Sequence, residues 1–558
     1  MVYAAWMRQA IDGRLLFDNR FAVEPQPGLT VHMYFWLLGL IAKVIGIPWA
    51  AFLTRIAFTV LFVVLLDRFV RQLALGEFAH RLALVLTVFG GGLGFLVWHD
   101  FGLLTVKPGP FNDLLGSRLP NDVWQPEGYV FPSMLTNSLF MVSLCLILGV
   151  LHCVLRAKTD TRAVLPGFLC LGALMNVHSY DVLLLALVLV GFLAASVAAR
   201  TVNGAWIGRA LVIGAGALIP AGWFLHVLSQ DTVFQARAAT ETFSPNFRVI
   251  LAGYGLLMLA SLPLLVRANL RQKVGAAVAV VLLSSLAVAA GNHGEGYFLT
   301  PIWFAVAYTT GLTAVALMAT RSDALNLVMA WAVLGLVVIY FPGLFQRKLT
   351  MGLSIPWAIL AGMGVALLLQ RVPAESRRLA VALPVLLLSA TSLRWLIRES
   401  GFMQSNLSNT TVHAPILTAE AREIVAALEQ EPGRRVVIAL PGVAQPSADS
   451  NGNPIPDSFG SPYIADLNPV LAGMAGAYAY AGHWSETPDY IARRNEATAL
   501  LIDGASTADP IEILRESGAT HLVQARGGPA DGLNWRDLTP FAEPITENDR
   551  FRLWRVRR

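Results

Sequence analysis

The chain has 558 residues, 55% hydrophobic and 14% charged, with a mean hydropathy of +0.58, which excludes a water-soluble protein of this length. Its net charge of +5 resides largely in arginines between apolar stretches. The charge therefore reports membrane topology and contact with anionic lipid, not nucleic acid, and no basic patch interleaved with aromatics is present.

The first residues, MVYAAWMRQAIDG, lack the basic region and continuous apolar core of a signal peptide. Their spacing predicts an amphipathic surface helix, with Val2, Ala5, Trp6, Gln9 and Ala10 on one side and Arg8 and Asp12 on the other. A first helix on the outer surface calls for a span ahead of Met1. Leu29 to Gly46 is apolar and nearly long enough to cross, but a crossing there would invert the charge pattern that follows. It is expected to lie in the outer interface, with His32 and Lys43 at its ends.

Twelve spans are then predicted, at about 49–66, 80–98, 133–155, 164–177, 181–199, 206–229, 248–266, 274–290, 298–319, 324–341, 351–370 and 379–397. The connections fall into two sets. One carries fifteen Lys and Arg, among them Arg68, Arg71, Arg81, Arg156, Lys158, Arg162, Arg267 and Arg271. The other carries six: Lys107, Arg118, Arg237, Arg248, Arg347 and Lys348. The first set is thereby cytoplasmic and the second outer. Cys145, Cys153 and Cys170 lie in or beside spans without metal-ligand spacing, so they are expected to be small core residues and not disulfide partners.

The residues that could carry chemistry lie in the outer connections. Arg347 and Lys348, in FPGLFQRKLT, break the charge trend in a very short connection, and an adjacent cation pair beside apolar helix ends suits a lipid phosphate or pyrophosphate. The long segment 99–132 holds Asp100, Asp113, Asp122 and Glu127, with Trp124 and Tyr129 interleaved. A carboxylate beside aromatic faces suits a sugar, and Asp122 and Glu127, with Asp181, are the candidate catalytic acids. Two tight turns, Asn176 to Asp181 and Asn292 to Tyr297, bring His178, Tyr180, His293 and Glu295 to the ends of spans, where so many donors call for a wet cavity. Asp12, Asp18 and Glu24 are similarly placed on the first outer segment.

Past Arg398 the chain becomes polar. Residues 399–418 read as a linker, and 419–558 as a soluble α/β domain with helices at 419–429, 489–501 and 510–517 and strands at 435–440, 520–524 and 551–556. Its Gly482-His-Trp-Ser-Glu-Thr487 cluster lacks a paired ligand set for a metal. The fold class is a mainly α, polytopic membrane bundle of about twelve spans, with interfacial helices at 1–48 and a periplasmic C-terminal domain. No nucleotide-type phosphate loop and no transporter-like repeat is visible.

This order of features resembles the GT-C superfamily of integral membrane glycosyltransferases, which includes protein O-mannosyltransferases and the bacterial aminoarabinose transferase. Met1 to Ala10 and Thr30 to Gly46 are similar to its two surface helices, the span from 49 to Asp67-Arg68 to its second span, and LFQRKLTMGLSIP from Leu344 to a segment of bacterial members. The resemblance implies a polyprenyl-phosphate sugar donor, a lipid, protein or glycan acceptor, Tyr3 in the substrate cavity beside Trp124 of the aromatic and acidic segment, and a bacterial inner-membrane location. It also implies an acid just before the surface-helix tyrosine, as base or ligand of a divalent metal. Only Met1 and Val2 precede Tyr3 here. A lipid-substrate transporter or flippase, and a non-catalytic scaffold of the same architecture, stay open beside the transferase.

Overall fold

A computed structural model describes residues 2–99, 107–291, 293–294, 296–407, 417–441, 443–444, 462–464, 466–505 and 508–557. The chain divides into two compact units. One comprises Met1–Ala51, Phe224–Thr240 and Glu399–Arg558, and the other Phe52–Trp223 and Glu241–Arg398.

The second unit is helical. Among the described residues, eight helices of the chain are long and apolar enough to cross a membrane: Ile47–Arg71, Ser138–Arg156, Tyr180–Ala198, Gly204–Gln230, Phe247–Val266, Leu270–Ala290, Pro301–Met318 and Gln346–Leu369. A ninth is the pair Glu375–Leu388 and Ala390–Gly401, if its 58° bend is taken as one broken span. The chain is thus a multi-pass membrane protein, and the expected count of twelve spans is not confirmed. Three of the expected spans are shorter helices, Glu77–Phe89, Thr161–Val177 and Asp323–Val338. At 1.5 Å per residue, a 13-residue helix reaches only about 20 Å of a hydrocarbon core about 30 Å thick.

Helix starts are written locally in the connections. Asn137, Asn203, Asn246, Asn269, Thr300 and Ser322 each accept a backbone amide of the turn that follows, and Asn269 with Gln272 completes a capping box. The connections also sort by contact into two ends. At the basic end, Lys158 pairs with Asp323 at 2.6 Å, Arg209 donates to the Ala157 carbonyl at 2.9 Å and Arg271 to the Ala316 carbonyl at 2.8 Å. At the cation-poor end, the amides of Thr242 and Arg347 donate to the carbonyls of Leu344 and Thr242, and Arg118 donates to the His293 carbonyl.

The first unit is built on a five-stranded sheet in the order Tyr478–Ala479, Val436–Ala439, His521–Ala525, Phe551–Val556, Ala542–Glu547. The first three strands are parallel and the last two antiparallel additions, with helices Ala419–Gln430, Asn468–Met474, Tyr490–Leu501 and Pro510–Ser517 between them. Residues 2–51 fold within this same unit. The Ala479 amide donates to the Arg20 carbonyl at 2.9 Å, so the N-terminal stretch covers the edge strand, which would otherwise expose unpaired backbone. Asp18 is held by Arg14 at 2.8 Å, Arg20 at 3.0 Å and the Tyr478 hydroxyl at 2.7 Å. Glu24 pairs with Arg493, and Arg8 with Asp12 and Glu429.

Helices Val2–Ile11 and Met33–Ile45 cross closely because position 39 is glycine: a Cβ there would stand 2.3 Å from that of Ala10. Tyr3 stacks on Phe35, with ring centroids 4.8 Å apart. Met33–Ile45 buries Tyr34, Phe35, Leu38 and Ala42 and exposes Leu37, Leu40, Ile41 and Val44 along its other side.

Candidate functional site

The cation-poor end of the second unit is organised around a glycine crossing. Helix Glu77–Phe89 stops at Gly90, and the chain passes through Gly91, Gly92 and Leu93 before a four-residue helix, Gly94–Val97. The Gly91 amide donates to the Leu388 carbonyl at 2.8 Å and that of Leu93 to the Ala252 carbonyl at 3.0 Å. Those of Gly92 and Gly94 donate to the Asp122 carboxylate at 2.8 and 3.2 Å. Trp395 donates its indole N–H to the Asp122 carbonyl at 2.6 Å.

Asp122 is almost completely enclosed. Burial pushes its carboxyl up to about 6, against the downward pull of the Thr391 hydroxyl and the two glycine amides. A carboxyl raised above its unfolded value favours the folded state more as it takes up its proton, so this group stabilises the fold as pH falls through 6. Asp122→Asn, which keeps the acceptor and removes the charge, is expected to leave the melting temperature at pH 7.5 unchanged or higher. It should also remove Asp122's contribution to the change in stability between pH 7.5 and 5.5. Asp122→Leu, which strands two buried amides, should melt markedly lower.

One short helical turn further on, the connection meets the segment that carries Arg347. Glu127, whose side chain is 6% exposed, lies with Oε1 3.1 Å from Arg347 Nε, while the arginine side chain is 31% exposed. The backbone around the pair is fixed by uncharged groups. Gln125 donates to the Thr350 hydroxyl at 2.6 Å and to the Arg347 carbonyl at 3.3 Å, and Thr350 donates to the same carbonyl at 2.6 Å. The Gly352 amide donates to the Glu127 carbonyl at 2.9 Å. Lys348 is part-buried beside them. Tyr129, hydrogen-bonded to Asn121 at 3.0 Å, stacks on Tyr254 with centroids 4.9 Å apart behind this junction.

A third connection reaches the same segment. Tyr180 packs its ring on Phe345, centroids 4.9 Å apart, and on His178 at 5.7 Å. His178 Nδ1 is 3.0 Å from Asp181 Oδ2, and the aspartate is fully buried in the first turn of its helix. Glu127, Arg347, Lys348, His178, Tyr180 and Asp181 are thus drawn together through the 345–350 segment.

The remaining expected residues have other neighbours or lie outside the described residues. Trp124 packs with Trp98, Val123 and Trp395, its indole donating to the Leu119 carbonyl. His293 holds Arg118 and Asn246 through its carbonyl, at 2.7 and 2.9 Å, and its ring lies against Phe298. Tyr3 belongs to the first unit. Glu295, Asn292 and Asp100 lie outside the described residues. In the first unit, Glu486 of the GHWSET cluster pairs with Arg237 at 2.7 Å, and the Thr487 hydroxyl accepts the amides of Gly482 and His483. Among the described residues no three His, Cys, Asp or Glu side chains are grouped to hold a metal ion.

Sequence reasoning missed Gly92, Gly94, Asn121, Gln125, Tyr254, Thr350 and Thr391, which build the junction. The run Gly90-Gly-Gly-Leu-Gly94 inside an apolar stretch was the available signal.

Fold and site together define a polytopic membrane protein whose helical unit carries a cation and acid junction where span connections meet, and whose other unit is built on a mixed sheet. No family model and no curated protein matches the chain. Two solved structures of the oligosaccharyltransferase of the archaeon Archaeoglobus fulgidus superpose on 94% of it, at 10% sequence identity. The one tethered to an acceptor peptide gives a TM-score of 0.45, and AglB in complex with an inhibitory peptide and a dolichol-phosphate gives 0.42. This chain spans 64 and 65% of their lengths. At that overlap no residue here is equated with one of theirs.

Proposed function

We propose that the protein is a membrane glycosyltransferase that moves a sugar from a polyprenyl-phosphate-linked donor to an acceptor at the periplasmic face of a bacterial inner membrane. The observation that carries this reading is the Arg347–Glu127 junction. The guanidinium lies with Nε 3.1 Å from the almost fully buried carboxylate of Glu127, yet remains about a third exposed, with Lys348 next to it in sequence. An arginine drawn to a buried carboxylate in this way still keeps N–H groups to offer, which suits a phosphate.

Glycosyl transfer from such a donor requires stabilisation of the leaving phosphate, and preorganised cations supply it without reorganisation at the moment of reaction. The apolar spans offer the polyprenyl chain a matching environment, and Tyr180 and Phe345 offer ring faces to a sugar.

The test is binding of a short-chain polyprenyl-phosphate hexose in detergent. Charge-assisted contacts contribute about 1.5–3 kcal/mol each when desolvated, so Arg347→Ala/Lys348→Ala should weaken binding at least about tenfold. Arg267→Ala/Arg271→Ala, at the basic end, should leave it unchanged. Equal, small changes in both double variants would overturn the reading.

A further inference from the structure

We infer that His178, standing beside the carboxylate of Asp181, is the general base that takes the proton from the acceptor hydroxyl; this rests on the transferase reading above. Of the three acids singled out in the connections, Asp122 is engaged by two backbone amides and Glu127 by Arg347, neither of which can accept a proton. Asp181 alone among the three faces an imidazole.

The pair is not fully accounted for by packing. Asp181 is completely buried, His178 is 9% exposed, and although His178 Nδ1 and Asp181 Oδ2 stand 3.0 Å apart, neither of these atoms nor Asp181 Oδ1 has a hydrogen-bond partner among the described residues. A buried carboxylate kept only to hold a fold is normally satisfied on both oxygens. With Nδ1 facing Asp181, the carboxylate stabilises the imidazolium that forms when His178 takes up a proton at Nε2.

Placement joins this base to the leaving-group cation. His178 touches Tyr180, Tyr180 lies on Phe345, and Arg347 is two residues further along the same turn. The acceptor O–H bond breaks toward Nε2 as the acceptor oxygen bonds the sugar's anomeric carbon. The bond from that carbon to the phosphate oxygen breaks, and its electron pair stays on the phosphate beside Arg347 and Lys348. The proton then leaves His178 to water. Asp181 is a positioning residue in this step.

The experiment uses the full chain in detergent and follows sugar release to water from a panel of short-chain polyprenyl-phosphate hexoses and pentoses. General bases contribute about 100- to 10,000-fold, so His178→Ala should lower kcat by at least about 100-fold while donor KM changes less than about threefold. Added imidazole should restore part of the rate, which a merely structural role would not allow. Asp181→Asn should lower kcat with donor KM unchanged, and Asp181→Glu should recover part of it. His178→Gln, closer in shape, guards against misfolding and should show the same loss with an unchanged melting temperature.

Wild-type-like kcat in His178→Gln, or a loss confined to donor KM, would overturn the inference and leave the transferase reading standing. Loss of kcat in His178→Ala with no rescue by imidazole would also count against it. Failure of the wild type to bind any donor of the panel would instead remove the transferase reading, and this inference with it.

Discussion

Replacing Gly92 with alanine is expected to cost the second unit more stability than any other single methyl added to it. The new Cβ would stand 1.9 Å from the Gly253 carbonyl oxygen, 2.3 Å from its carbon and 2.6 Å from the Ala252 carbonyl oxygen. All three are backbone atoms of a membrane helix, so no rotamer change relieves the overlap, and the strand of chain must move. Moving it unseats the Asp122 carboxylate from the Gly92 and Gly94 amides. Overpacking costs about 1–3 kcal/mol where side chains can adjust, and this case should exceed that range. Gly208→Ala, on a helix where a Cβ meets nothing within 4 Å, should instead raise the melting temperature slightly. A Gly92→Ala protein that melts within a degree or two of the wild type would show that the crossing is looser than these distances require.

The same crossing shows where sequence reading ends. Apolar runs placed the long helices because hydropathy needs only composition, and the cap residues at their starts are local. The stretch 80–98 satisfied hydropathy as one span, yet it is a 13-residue helix, a glycine break and a short turn, since averaging over a window hides where two backbones touch. The final span likewise bends beyond Leu388, shortly after Pro384 inside the apolar run.

Arg347 was legible for a different reason: a cation on the wrong side of a charge bias is conspicuous in a short connection. Its partner Glu127 was equally visible as a candidate acid, but the pairing joins segments far apart in sequence. Gln125 and Thr350, which fix the geometry, look like the polar residues of any connection. In the unit built on the sheet, the three expected helices and three expected strands fall within a residue or two of their expected bounds. The two-residue strand Tyr478–Ala479, and the N-terminal stretch that covers it, are too short to show alternation.

Lys158 is the case in which the sequence signal and the structural role differ most. Counted as one of the basic residues that orient the chain, its ammonium is in fact enclosed, with its side chain 8% exposed. It lies 2.6 Å from Asp323 Oδ1, 3.4 Å from the Thr201 carbonyl and hydroxyl, 4.6 Å above the Trp206 ring and 5.1 Å from that of Phe192. It therefore joins three connections at the basic end. Lys158→Met keeps the stem and removes the charge, leaving Asp323 without its cation. Breaking a buried pair from one side costs about 3–5 kcal/mol, and the 29% exposure of Asp323 places the expected loss near about 2–3 kcal/mol. Arg156→Met, which breaks an exposed i,i+4 pair with Asp160, should cost about 0.3–0.5 kcal/mol. Adding Asp323→Asn to Lys158→Met should recover part of the loss, because the stranded charge and not the missing amine is then what destabilises the single variant. Melting curves of the four proteins in one detergent decide it: if Lys158→Met and Arg156→Met are equally mild, the lysine serves topology only, and the basic end is held by its helices alone.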